Sequence, residues 1–187
     1  MIEVLAALVI TGAIAAIGLP VTGNTLAEFR LRGDAQALAN TMALAKMRAA
    51  AVFSTSRLYV DLTTKTYRVE TWRRTGAPAW VADGGETSIS SRDALSFRMV
   101  ASPPPNTQAA IAQAPACRNA ANQAIAGTAC LLFNSRGIPV DSTGAPTGTG
   151  ALYVSGDPGV WAVTVSATGQ VQLWRTVAQV APVWSLQ

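Results

Sequence analysis

The sequence predicts an α+β chain: a long amino-terminal helix, membrane-spanning in its first half, packed on an antiparallel β-sheet or sandwich head. Three observations predict it. Residues 4–21 carry no charge. Apolar residues then recur in steps of four and three to about residue 52, the spacing of one helix face. After Ser54 the apolar period changes to two, as in half-buried strands. A helix followed by a series of strands is the α+β order. The expected divisions are 1–22 for the membrane half of the helix, 23–53 for its amphipathic half, and 54–187 for the head, with a loop insert at about 101–129.

The uncharged run from Val4 to Val21 is 18 residues long, at the lower edge of what crosses a bilayer as a helix. A secretory signal peptide is the competing reading. It fails because the segment has no positive start, carries an acid at Glu3, and runs on into a helical pattern without a small-residue cleavage site. A carboxylate beside a membrane stretch is costly unless it lies at the interface or finds a partner. Glu3 therefore either serves the helix dipole at the amino end or pairs with a positive group on a neighbouring subunit. Pro20, after Gly18, removes a helical hydrogen bond and is expected to kink or loosen the helix.

Residues 24–53 continue with helix formers and no proline. Leu31, Ala35, Leu38, Met42, Ala45, Ala49 and Val52 form one stripe, which suits packing on a head domain. Leu26, Phe29, Leu44 and Met47 fall roughly opposite at about 100° per residue. A helix apolar on two sides has to be covered on two sides. The head supplies one cover, and neighbouring subunits in a filament are the expected second. A wholly internal core is the alternative.

In the head, Arg57–Leu62 and Tyr67–Trp72 alternate about a Thr63-Thr64-Lys65-Thr66 turn and read as a hairpin. Further strands are expected at 95–100, 131–137, 150–155, 160–166 and 171–176, with turns at Gly156-Asp157-Pro158-Gly159 and Thr168-Gly169. Residues 101–129 are rich in Pro, Ala, Gln and Asn and read as a long loop or short helix. Cys117 and Cys130 belong to no CxxC motif, and no His or third Cys could complete a zinc site. Outside the cytoplasm a disulfide stapling that loop is the better reading.

There is no histidine, which removes Ser-His-Asp and Cys-His catalysis and the commonest metal ligand. The carboxylates of the head, Asp61, Glu70, Asp83, Glu86, Asp93, Asp141 and Asp157, show no ligand spacing. The glycines from Gly144 to Gly150 lack the Lys-Ser/Thr and helix of a phosphate loop. No catalytic residue, metal, cofactor or small-molecule substrate is therefore expected. The net charge of +4 is not gathered in a Lys/Arg run. One basic and aromatic group stands out: Arg57, Lys65, Arg68, Arg73 and Arg74 with Tyr67 and Trp72, and Trp174, Arg175 and Trp184 near the carboxy end. Arg with aromatic side chains can grip DNA through phosphates and stacking. The alternative is core aromatics and solvated arginines.

The string Ile2-Glu3-Val4-Leu5 before an Ala/Leu/Val/Ile run, with Pro20 further on, resembles the mature amino terminus of type IV pilins and type II secretion pseudopilins, Phe-Thr-Leu-Ile-Glu then an apolar helix containing a proline. Met1 stands where that signature has Leu. The cleavage-site Gly, the methylated first Phe and the basic leader are missing, as a late start codon or a trimmed chain would leave it. Leu31-Arg32-Gly33-Asp34-Ala35-Gln36, Ala43 through Ala51, and Phe133-Asn134 to Gly137 followed by the Val-x-Val strands resemble the pseudopilin H (GspH)/FimT subfamily. The resemblance covers nearly the whole chain except 101–129 and the tail after Thr176. It implies a non-enzymatic minor subunit of a type IV pilus or type II secretion pseudopilus. That subunit is held in the bacterial inner membrane with a periplasmic head until it joins a filament. Its partners would be other pilins or pseudopilins, the assembly platform and membrane lipid, and Glu3, Pro20 and Phe29 would serve assembly. A DNA-binding minor pilin, touching DNA through Arg57, Lys65, Arg68, Arg73, Arg74 and Arg175, is the second reading. A single-span membrane protein unrelated to filaments is the third, and the Glu3–Pro20 pattern argues against it.

Overall fold

The computed structural model describes residues 2–90, 94–95, 112–156, 159–177 and 184–187; side chains in the helix are described from Thr25 on, and 94, 95 and 112 by backbone alone. Helix α1 (Ile2–Ala51) runs 50 residues, about 75 Å at the ordinary helical rise. It passes Gly18 and Pro20 without a break. The expected roles of Glu3 and Pro20 rest on side chains outside those described. Among the described residues no helix is long and apolar enough to cross a membrane.

The helix ends where the chain turns left-handed. Phe53 takes φ 50°, and Ser54 N–H reaches back to the Ala49 carbonyl at 3.2 Å. Glycine usually fills that closing position, because a Cβ is strained there. Arg48 in the last turn suits the negative end of the dipole.

The head holds two sheets. In the first, β1 (Ser56–Asp61) pairs with β2 (Thr66–Arg73) as the expected hairpin, Arg57 opposite Glu70 and Val60 opposite Tyr67. Asp61 Oδ1 accepts the Thr63 and Thr64 N–H groups at 2.8 and 3.0 Å and so shapes the turn. β3 (Ala79–Ala82) and β4 (Thr87–Ser88) share the free side of β2, whereas β7 (Thr128–Phe133) and β8 (Pro139–Val140) extend the sheet beyond β1. The second sheet has β9 (Gly150–Gly156), β10 (Gly159–Val165), β11 (Val171–Thr176) and β12 (Ser185–Leu186) in antiparallel succession. Two short strands, β5 (Ala94–Leu95) and β6 (Ala112–Gln113), complete its β9 edge, and β6 runs parallel. β1, β2, β9, β10 and β11 stand within a residue or two of where the period of two puts them, whereas β7 starts three residues before the expected 131 and ends at Phe133, where residues 134–137 form a turn closed by the Gly137 N–H on the Asn134 carbonyl. The short strands β3, β4, β6, β8 and β12 have too few residues to show a period. Residues 96–100 of one expected strand, 101–111 of the expected loop, and 157–158 of one expected turn lie outside the described residues.

The carboxy-terminal half of α1 packs on both sheets. Leu31, Ala35, Leu38, Met42, Ala45 and Ala49 are all fully buried, against Leu58, Val60, Val69, Leu131 and Phe133 of the first sheet and Leu152, Val154, Trp161 and Val163 of the second. Val52 departs from the expected stripe. It lies beyond Ala51, where the helix has ended, and is 44% exposed. Both faces of β9 and β10 are buried, the far one in a cluster of Tyr153, Ala162, Trp174 and Trp184.

One cross-link ties the helix to turns of both sheets. Lys46 Nζ donates to the Gly169 carbonyl at 2.9 Å, and its stem passes Gly137. Gly169 has φ +81°, and a Cβ there would stand 2.6 Å from the Gly137 carbonyl oxygen. Gly169→Ala is expected to lose about 2–3 kcal/mol, from left-handed strain plus a backbone clash. Gly144→Ala is the control: φ is +89° with open space around the Cβ, so only the strain, about 1 kcal/mol, applies. Urea unfolding of the two variants side by side checks the difference, and equal losses would contradict it.

Candidate functional site

Alternation along β1 and β2 sorts their side chains onto two faces. Leu58, Val60, Tyr67 and Val69 face the helix core. Arg57, Tyr59, Arg68, Glu70 and Trp72 take the other face, where Cys130 of β7 also lies because it stands opposite Tyr59. Of the basic and aromatic residues picked out along the chain, Arg57, Arg68 and Trp72 share this face of the first sheet, whereas Tyr67 lies in the core and Trp174 and Arg175 belong to the second sheet.

That face neutralises itself. Arg57, only 3% exposed, donates from Nε to Glu70 Oε2 at 2.7 Å and from Nη1 to the Arg118 carbonyl at 2.6 Å. Its guanidinium stacks 4.0 Å from the Trp80 ring centre and 5.3 Å from that of Tyr59. Arg68 takes the other oxygen of Glu70, Nε to Oε1 at 2.8 Å, and reaches Glu86 Oε2 from Nη1 at 2.8 Å while lying over the Tyr59 ring. The four charges alternate Arg–Glu–Arg–Glu. Burial lowers the pKa of Arg57, and Glu70 opposes that without cancelling it. For Arg68 burial also pulls down, but the hydrogen bonds and charges of Glu70 and Glu86 outweigh it and the pKa is raised. Both remain guanidinium ions at any working pH.

A disulfide between Cys117 and Cys130 holds the segment 114–127 over this face. Both cysteines are buried with Tyr59, Ile125 and Leu132 packed around them. Thr128 Oγ1 accepts the Cys117 N–H at 3.0 Å and donates to the Ile125 carbonyl at 2.6 Å, so the loop carries its own internal bonding. Beside the loop an open cleft of about 710 Å³ runs over the sheet, floored by Trp72, Trp80 and Arg57 and rimmed by Asn119, Asn122 and the turn Asp141–Gly144. Trp72 and Trp80 are a cross-strand pair whose rings meet edge to face, 5.1 Å apart.

The residues proposed for DNA contact do not gather. Arg57 is a correction: it lies inside the fold, and its charge is spent on Glu70. Arg68 is bound between two glutamates. Lys65 is half-buried at the hairpin turn with φ 57°, and Arg73 and Arg74 are exposed at the far end of β2. Arg175 belongs to the second sheet and donates from Nε to Glu28 of the helix at 2.7 Å. Trp174 is buried and donates to Thr164 Oγ1 at 3.1 Å, so it offers no stacking face. Sequence reasoning missed Trp80, Arg118 and Glu86 as members of the group. The expected turn at 63–66 sets Trp72 opposite Arg57; the structure turns at 62–65, and that shift sets Glu70 there. Trp80, Glu86 and Arg118 come from segments with no period to read.

The helix carries the other candidate surface. Leu26, Phe29, Leu44 and Met47 are 51%, 63%, 40% and 60% exposed, opposite the buried stripe. Exposed polar or small residues, Gly33, Gln36 and Asn40, separate the two pairs along the same face.

No protein-family model matches the chain, and no curated protein matches it by sequence. Among solved structures the chain is similar to the minor pseudopilin EpsH from the type II secretion system of Vibrio cholerae, at 14% identity over 86% of this chain and 99% of that one, with a TM-score of 0.48. A second structure of that pseudopilin aligns at 13% identity over 84% and 96% of the two chains, with a TM-score of 0.38.

Proposed function

We propose that this chain is a structural minor subunit of a type IV filament system, a minor pilin or pseudopilin of a type IV pilus or type II secretion pseudopilus. Its amino-terminal helix anchors it in the inner membrane with the head in the periplasm, and then packs among the helices of other subunits. One observation carries the reading: the helix is apolar on two faces, and the head covers only one. Two pairs of large apolar side chains, Leu26 with Phe29 and Leu44 with Met47, stand exposed on the uncovered face, and such clusters mark a surface that another molecule covers. The resemblance of Ile2-Glu3 and Pro20 to pilin amino termini says which molecule, a neighbouring helix of the same kind.

Glu3 then pairs with the amino-terminal charge of the adjacent subunit in a water-poor filament core. Glu3→Ala is expected to leave the protein in the membrane fraction and to cut its recovery in sheared filaments by about tenfold or more, the effect of truncating one desolvated ion pair. Normal recovery of that variant would refute the assembly reading. Loss from the membrane fraction itself would point instead to a failure of insertion.

A further inference from the structure

We propose that the cleft over Trp72 and Trp80 is a binding site for a neutral oligosaccharide. The inference does not depend on filament assembly, since it rests on the opposite side of the first sheet from the helix. The volume, about 710 Å³, falls in the range of ligand sites. Its floor offers two tryptophans, both half-buried, so ring surface remains open at the cleft. Trp80 is held in place by Arg57 stacked on it at 4.0 Å and by its edge contact with Trp72. That is a preformed platform, and a rigid one loses little entropy on binding.

The cation of the floor is committed to Glu70, and the two charged groups of the rim, Arg118 and Asp141, are of opposite sign. Arg57 is held by Glu70 and the Arg118 carbonyl, and Arg118 donates to the Asn122 carbonyl at 2.7 Å. Asp141 Oδ1 is occupied by the Thr143 N–H and hydroxyl and the Ala145 N–H, at 2.6–3.0 Å, which together hold its pKa below the ordinary carboxylate range. An anionic ligand thus meets no unspent cation on the floor. The rim instead supplies neutral hydroxyl and amide groups, among them Ser142, Thr149 and Asn122. A pyranose ring matches this pattern. Its C–H face is apolar and lies on an aromatic ring, while its hydroxyls point outward to hydrogen-bonding partners. An extended peptide is the poorer fit. The floor is the face of the sheet, spanning β1, β2, β3 and β7, and strand addition needs an open edge.

The test uses the full chain in a zwitterionic detergent that carries no sugar headgroup. Cellohexaose, N-acetyl-chitohexaose and maltohexaose are titrated by calorimetry and by tryptophan fluorescence, with a polyproline peptide and a heparin fragment as competitors of other classes. At least one neutral hexasaccharide is expected to bind and to quench the fluorescence. Trp72→Ala should weaken that binding by about tenfold or more. Ser142→Arg, on the exposed rim, should block the cleft without removing a buried group, which covers the case in which the tryptophan variant unfolds. The proposal is overturned if none of the three sugars binds up to about 10 mM. It is equally overturned if Ser142→Arg leaves binding unchanged, or if only the peptide or the heparin fragment binds.

Discussion

Glu70→Ala is expected to destabilise the fold by about 3–5 kcal/mol, the cost of leaving a buried charge without its partner. Glu70 is 5% exposed and is the only carboxylate within salt-bridge distance of Arg57 among the described residues. Its removal strands a guanidinium that is itself 3% exposed. Arg68 is affected less, because it is 27% exposed and keeps Glu86. Glu70→Gln should cost less than the alanine, since the amide oxygen still accepts one hydrogen bond. Replacing the pair together, Arg57→Met with Glu70→Leu, should recover much of the loss, because no buried charge is then left. Urea unfolding of the four proteins in detergent measures all of this. A loss below about 1 kcal/mol for Glu70→Ala would show that water reaches Arg57 and that the face is not closed.

The Cys117→Ser, Cys130→Ser double variant is expected to lose about 3 kcal/mol, the usual effect of releasing a short closed loop in the unfolded chain. The two cysteines are 13 positions apart and both are buried under Tyr59 and Ile125. A reducing agent should reproduce the loss in the native protein and leave the double variant unmoved, a comparison that separates the covalent bond from the serine substitution. The loop also carries the Arg118 carbonyl that receives Arg57. The disulfide and the Arg57–Glu70 pair therefore share a partner, and their combined removal should cost less than the sum of the two. Strict additivity would mean that the loop stays seated without its disulfide.

Much of the fold was legible along the chain because its elements are long enough to show a period. The helix, the β1–β2 hairpin, β9, β10 and β11 stand within a few residues of where alternation and spacing put them. The paired cysteines read correctly because the absence of histidine removed the metal alternative. The two-residue strands were illegible, since two residues have no period and their backbone is recruited by a neighbour. Val52 was misassigned because the pattern continued for one residue past Ala51, the last of the helix, and the left-handed position that closes it, Phe53, lacks the glycine that is the usual signal.

The candidate site divides in the same way. The sequence by itself determined which residues share a face: Arg57, Arg68, Glu70 and Trp72 on one side of a hairpin, Leu26, Phe29, Leu44 and Met47 on one side of a helix. Periodicity contains that much, because it is a property of the local backbone. Only the tertiary structure decided what lies over each face. Arg57 meets a carbonyl 61 positions away, Arg68 a glutamate 18 away, and Arg175 a glutamate on the helix 147 away. Those contacts turned a basic surface into a closed network of paired charges beside an open cleft. They also left the second apolar row of the helix in solvent. Burial and pairing depend on chain segments brought together from far apart, and no local pattern records them.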